Sequence, residues 1–224
     1  MPKMQIISIE GNIGSGKTTL LTNLKTFYNK NNNIHIIFLR EPVDEWENIK
    51  DKYGNTMVQK FYMDQEKYSF SFQIMAYISR LRLLKDAIHN TPLEKDIIII
   101  TERSLMTDKM VFAKMLYDSN KIEDVNYQIY LKMAECFSED FTINKFIYVK
   151  TNPEICFNRI KERSRNGECN IQLDYLNECS KYHEQMISNI DANNILILDG
   201  NINIKKNIDQ IDILINEINN FILQ

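Results

Sequence analysis

The chain has 224 residues, 44% of them hydrophobic and 25% charged, with a formal net charge of −3 at pH 7. That length buries one substantial core, so a single domain over residues 1–224 is expected. Charges of both signs are spread without a basic block, which argues against nucleic acid as a partner, and the longest apolar runs, Ile97 to Ile100 and Ile195 to Leu198, are too short to cross a membrane.

In chain order, Met4–Ile9 is apolar and Ile-rich and reads as a buried strand. It runs directly into Gly11-Asn12-Ile13-Gly14-Ser15-Gly16-Lys17-Thr18, followed by Thr19. This is the G-x-x-x-x-G-K-[ST] pattern of a P-loop over residues 11–18, and a helical stretch, Thr18–Asn29, follows it as the motif requires. The glycines let the backbone turn tightly and aim its N–H groups at one point, where a polyphosphate binds. Lys17 reaches the β/γ-phosphates of a nucleoside triphosphate, and the Thr18 hydroxyl can hold Mg²⁺.

The polar run Lys30-Asn31-Asn32-Asn33 is a turn before a second strand, Ile34–Leu39. A long helix, Gln65–His89, carries Phe72, Met75, Ala76, Ile78 and Leu83 at helical spacing. A third strand, Ile97–Thr101, precedes helices Leu105–Tyr117 and Val125–Phe137. A fourth strand, Lys145–Lys150, leads to helix Asn152–Arg163, then to a polar break at Gly167 that suits a mobile loop. Helix Leu173–Ile190, a fifth strand Asn194–Leu198 and a last helix, about Lys205–Ile222, complete the chain. Strands alternating with helices imply an α/β fold: a five-stranded parallel sheet with helices on both faces. The N-terminus has no signal- or transit-peptide pattern, and Cys136, Cys156, Cys169 and Cys179 form no C-x-x-C pair. An intracellular, cytoplasmic protein with reduced thiols is expected.

In open α/β sheets ligands sit beyond the carboxyl ends of the strands. The second strand ends in Glu41-Pro42 and the third in Glu102-Arg103-Ser104, so a carboxylate and an acid–base pair face the bound phosphates. Phosphoryl transfer to a hydroxyl uses a base at the acceptor and cations on the transferring group. Glu41 fits the base, Arg103 a group that orients it or contacts phosphate, and Glu102 a ligand of Mg²⁺ or of its waters. Arg159, Arg163 and Arg165 lie on or just beyond the helix after the fourth strand, and Arg159 and Arg163, four apart, share a face. Such a cluster suits a lid, about residues 159–170, that clamps phosphate.

Together these residues resemble the deoxynucleoside kinase family, and the similarity runs in order through nearly the whole chain. Ile9 to Thr18 is similar to the family P-loop, and Glu41-Pro42-Val43 with Trp46 is similar to its E-P-V-x-x-W. Ser69-Phe70-Ser71-Phe72-Gln73 resembles the start of its substrate helix. Glu102-Arg103-Ser104 with Asp108 resembles its E-R-S segment, the arginines at 159, 163 and 165 its lid, and Lys181-Tyr182-His183-Glu184 a Lys-His-Glu run. The resemblance implies ATP as donor, Mg²⁺, a deoxynucleoside as acceptor and a homodimer. It implies that Glu41 takes the proton of the 5′-hydroxyl with Arg103 beside it. Gln73 would hydrogen-bond the base edge, Phe72 and Phe112 would bracket the base, Trp46 with Val43 and Ala76 would wall the pocket, and Tyr62 and Glu168 would hold the 3′-hydroxyl.

Relatives that favour deoxycytidine or purines carry Arg and Asp near the base, and this chain has Arg80 and Asp108. A carboxylate held by Arg accepts from an exocyclic amino group. Deoxycytidine and purine deoxynucleosides are therefore expected over thymidine, the alternative being a multisubstrate enzyme that accepts thymidine. Other classes fit less well. Asn120-Lys121-Ile122-Glu123 departs from the guanine-reading N-K-x-D of a GTPase and follows no strand. Thr101-Glu102-Arg103 is not the Asp-terminated strand of a motor. A nucleoside monophosphate kinase does not account for E-P-V-x-x-W with F-Q. A non-catalytic structural relative is expected to lose Lys17, Glu41 or Arg103, and all three are present.

Overall fold

Five parallel strands form one sheet in the order β2-β3-β1-β4-β5: β1 (Met4–Glu10), β2 (His35–Leu39), β3 (Ile97–Glu102), β4 (Lys145–Lys150) and β5 (Ile195–Asp199). The computed structural model describes residues 4–30, 35–91, 96–137, 140–165, 167–202 and 208–224. Ile34, most of the 30–33 turn and the start of the last predicted helix lie outside the described residues. The predicted strands agree with these bounds to within one residue.

Successive residues of a strand point to opposite faces, which divides the apolar chain between two layers. Ile7 and Ile9 pack with Leu20 and Leu24 of α1 (Lys17–Lys30) and with Ile215 and Ile218 of α10 (Ile208–Leu223). Ile6 and Ile99 pack on the other face with Tyr77, Leu81 and Leu84 of α4 (Gln65–His89) and with Tyr130 and Ala134 of α7 (Asp124–Glu135). Each fully buried Ile or Leu contributes about 1.5–3 kcal/mol. The central strands β1 and β3 are covered on both sides, whereas the edge strands β2 and β5 stay partly open.

Two short helices have no apolar periodicity to announce them. These are α2 (Val43–Asn48) and α3 (Met57–Met63). A capping box starts α3: Thr56 Oγ1 accepts from the Gln59 amide at 3.2 Å, and Gln59 Oε1 accepts from the Thr56 amide at 2.7 Å. The helix expected over Leu105–Tyr117 is not uniformly α. It comprises α5 (Leu105–Thr107), a π-helical stretch Asp108–Ala113, and α6 (Lys114–Asp118). π turns are rare and frequently lie at functional sites. Here Asp108 is held by Arg80, while Val111 and Ala113 are fully buried. The remaining α-helices among the described residues are α8 (Pro153–Arg163) and α9 (Leu173–Ile187), the latter three residues shorter than expected.

Candidate active site

The strand order reverses at β1, and the cleft lies there, beyond the carboxyl ends of β1, β2 and β3. The P-loop forms its floor. A Cβ on Gly11 (φ 142°) would sit 2.6 Å from the Val149 carbonyl, and one on Gly14 (φ 81°) 2.6 Å from the Cys156 carbonyl, so only glycine fits either position. Ile13, Gly14, Ser15, Gly16, Lys17, Thr18 and Thr19 line the cleft; Gly11 and Asn12 do not. Asn12 instead ties the loop to α9, its Nδ2 donating to the Leu176 carbonyl at 2.8 Å.

Lys17 is 4% exposed and its Nζ donates to the Asn12 carbonyl at 2.7 Å. Burial, aided by the charge of Arg103, lowers its pKa to about 7. Thr18 Oγ1 donates to Glu102 Oε1 at 2.6 Å. Glu102 Oε2 and Ser15 Oγ are buried without a hydrogen-bond partner among the described residues. Orphaned oxygens beside a phosphate-binding loop leave acceptor capacity for a hard cation or its waters.

Glu41 stands at the centre. Its Oε1 lies 3.2 Å from Arg103 Nε and 3.1 Å from Arg80 Nη2. Burial works against its ionised form, but Arg103, Arg80 and Lys17 outweigh burial and hold its pKa near 2. Arg103 adopts φ 65°, a left-handed conformation that costs a non-glycine residue of order 1–3 kcal/mol. Its amide nonetheless continues the sheet, donating to the Ile9 carbonyl at 3.0 Å. The turn is pinned by Glu10, which the sequence reading passed over. Its buried carboxylate accepts from Ser8 and Ser104 hydroxyls at 2.6 Å each, and from Thr107.

The end of the cleft away from the P-loop is aromatic. Val43, Trp46, Tyr62, Phe72, Gln73, Ala76, Asp108, Phe112 and Glu168 all line the cleft. Trp46 meets Phe72 edge-on at 5.6 Å, and its Nε1 donates to Ser79 Oγ at 2.8 Å. One face of Phe72 is stacked on Phe61 at 4.5 Å. Gln73 is 2% exposed, yet its Oε1 has no hydrogen-bond partner among the described residues. Arg80 does not line the cleft. It lies behind it, its Nε 2.8 Å from Asp108 Oδ2 and its Nη1 2.7 Å from the Glu102 carbonyl. Burial raises the Asp108 pKa against the pull of Arg80. Burial, with Glu168 nearby, also drives the Tyr62 hydroxyl well above its ordinary value.

The three arginines expected to form a lid are engaged differently. Arg159 donates to the carbonyls of Ser15, Gly200, Asn201 and Ile202 at 2.8–3.3 Å, bracing the P-loop against the loop after β5. Arg163 forms a two-pronged pair with Glu168, Nε and Nη2 each at 2.7 Å, and Arg165 Nη1 reaches Glu168 at 3.5 Å. Val58, Glu162, Tyr175 and Ile202 also line the cleft; no local pattern marks them.

A family model described as deoxynucleoside kinase matches residues 7–223. The fowlpox virus protein named "Probable deoxycytidine kinase" is 34% identical over 184 residues, 81% of this chain and 71% of its own. Bos taurus deoxycytidine kinase is 31% identical over 247 residues, 98% of this chain and 92% of its own. The mitochondrial thymidine kinase 2 of Macaca fascicularis is 30% identical over 190 residues, 83% of this chain and 65% of its own. With the match running almost end to end over a five-stranded parallel sheet and its P-loop, the chain belongs to the deoxynucleoside kinase family and carries phosphate from a nucleotide to a deoxynucleoside.

Proposed function

We propose that this chain, as one domain and as a homodimer inside the cell, transfers the γ-phosphate of ATP to the 5′-hydroxyl of deoxycytidine and purine deoxynucleosides in preference to thymidine. The observation that carries the preference is the buried Arg80–Asp108 pair at 2.8 Å, with Asp108 lining the cleft. Asp108 offers only acceptor oxygens while it is ionised, and an exocyclic amino group gives them a donor. Thymine turns a carbonyl toward the same oxygens. Gln73 supports the reading, since its unpartnered Oε1 needs a donor and its amide can serve a second base edge atom. The names of the relatives include deoxycytidine, deoxyguanosine and thymidine kinases, so acceptor breadth is tested rather than inherited.

Glu41 receives the 5′-hydroxyl proton and, before that, fixes the hydroxyl by a hydrogen bond. Because its neighbouring cations keep it ionised, it acts first by orientation, which suits a loose transfer in which positioning dominates. Arg103 holds Glu41 and shares the charge of the reacting phosphate. Lys17 and the P-loop amides cradle the donor. Arg163 and Arg165 exchange Glu168 for phosphate as the lid closes, which frees Glu168 to join Tyr62 at the 3′-hydroxyl. Phe72 and Phe112 hold the base and keep water out. Thr18 and Glu102 are the residues that would hold Mg²⁺, whose charge, when bound, neutralises the phosphates.

The test is a turnover panel of the four deoxynucleosides and their ribose analogues with ATP and Mg²⁺. The expected order has deoxycytidine and at least one purine deoxynucleoside above thymidine in kcat/KM. Thymidine leading the panel would support the multisubstrate reading instead.

A further inference from the structure

His183 is fully buried on α9, and the transfer chemistry above gives it no part. Its Nδ1 lies 2.6 Å from the Cys179 carbonyl, one turn earlier on the same helix. A carbonyl only accepts, so Nδ1 carries the hydrogen and Nε2 keeps its lone pair, the tautomer following from the network. That lone pair lies 3.2 Å from Arg103 Nη1, which therefore donates to it. The same Nη1 donates to the Gly11 carbonyl at 2.8 Å, while Nε faces Glu41 at 3.2 Å. The imidazole is itself fixed. Tyr148 stacks on it at 6.4 Å, and Phe112 meets it edge-on at 5.9 Å. The Arg103 guanidinium sits 4.8 Å over the Phe112 ring. Burial, and then the charge of Arg103, keep the His183 pKa well below the ordinary imidazole value, so its lone pair persists at neutral pH.

We propose that His183 is a positioning residue for phosphoryl transfer. Its Nε2 lone pair and the Gly11 carbonyl hold Arg103 Nη1 from two sides, and this sets the tilt at which the guanidinium presents Nε to Glu41. With one of the two acceptors gone, the guanidinium keeps its charge but loses its fixed plane. A misplacement of a few tenths of an ångström at a reacting centre is felt in kcat more than in binding. The inference rests on the reading of Glu41 and Arg103 as the reacting centre.

The competing role is packing alone, between Phe112 and Tyr148. His183→Leu and His183→Gln both remove the ring, but only glutamine offers an oxygen near the position of Nε2. We expect His183→Leu to lower kcat roughly 10- to 100-fold with KM for ATP changed less than about 3-fold, and His183→Gln to recover most of that loss. Equal kcat in the two variants overturns the proposal, as does wild-type kcat in His183→Leu. Should both variants fail to fold, ¹⁵N-histidine NMR of the wild-type chain at pH 7 decides. The Nδ1–H tautomer is expected, and an Nε2–H tautomer or an imidazolium overturns the proposal. Glu41→Gln, measured beside them, separates the two levels. If Glu41→Gln turns over normally, the reading of the centre fails; if it is inactive while His183→Leu is not, only the role of His183 fails.

Discussion

Arg80 Nη2 lies 3.1 Å from Glu41 Oε1 while its Nε lies 2.8 Å from Asp108 Oδ2, so one buried guanidinium joins the carboxylate at the phosphate end to the carboxylate at the base pocket. In the roles proposed for Glu41 and Asp108, base selection and proton acceptance share a residue. A change made to alter the base pocket reaches Glu41 through Arg80, and effects at the two ends are not additive.

Glu41→Gln keeps the shape of the side chain and removes its charge. Turnover is expected to fall roughly 10²-fold or more while ATP still binds, the scale for losing a general base. Near-wild-type turnover removes Glu41 from the role. The pH profile gives a second reading. Since the pKa is depressed from 4.5 to about 2, Glu41 is ionised throughout the working range and sets no acid limb between pH 5 and 8. The same depression is a stability contribution that is full above the ordinary value and lost as pH falls through about 2.

Lys17 behaves in the opposite sense. With its pKa lowered to about 7, the empty site holds a largely uncharged amine at pH 8.5, and polyphosphate binding calls the proton back. ATP binding at pH 8.5 is expected to take up close to one proton per site, read from the buffer dependence of the binding enthalpy, and affinity is expected to weaken as pH rises from 7 to 9. Stability of the fold without ATP is expected to run the other way: the depressed amine penalises folding fully below about pH 7, and the penalty lifts as pH rises toward 10.5. Lys17→Ala should abolish the proton uptake and lower both ATP affinity and turnover. Unchanged affinity and turnover would refute the P-loop assignment.

What was legible in the sequence was local. The P-loop, Glu41 and Glu102-Arg103 each lie at or just beyond the end of a strand of five to seven residues whose apolar run is plain, so their placement at the carboxyl ends of the strands follows from the topology rule alone. The partners of those residues were not legible. His183 meets Arg103 across 80 positions, and Arg159 reaches the carbonyls of 200–202 across 41 to 43. Phe61 hid on a helix of seven residues, although the Thr56 and Gln59 capping box marks where that helix begins. The π stretch left no trace because its apolar residues satisfy an α-helical period equally well.

The homodimer implied by family resemblance has a candidate face. On α4 Ile78 is 49% exposed, and on the adjoining α7 Val125 and Ile129 are 57% and 50% exposed. Over 105–117 the large apolar residues are buried or half-buried apart from Met110, so that stretch offers less apolar surface than α4 and α7. Light scattering at micromolar protein should give twice the chain mass of 26.5 kDa. Ile78→Glu with Ile129→Lys should shift it toward one chain without abolishing the fold, because both side chains lie outside the core. A wild-type protein of single-chain mass counts against the dimer, and an unshifted double variant counts against this face.

Selectivity is the last expectation. Asp108 is 2% exposed and depends on Arg80 for its hydrogen bonds inside the pocket. An amino group on cytosine or adenine completes the set, whereas a thymine carbonyl leaves a buried acceptor facing an acceptor. Leaving such a group unpaired costs about 1–3 kcal/mol, or roughly 5- to 150-fold in relative kcat/KM. Replacing Arg80 by Met together with Asp108 by Ala removes both charges and should move the ratio of thymidine to deoxycytidine kcat/KM upward by a factor in that range. The ratio is the quantity to read, because Arg80→Met also withdraws a cation from Glu41, and that loss falls on every substrate alike. A ratio that does not move would make the Arg80–Asp108 pair a structural bridge and leave the choice of base to the shape of the aromatic walls.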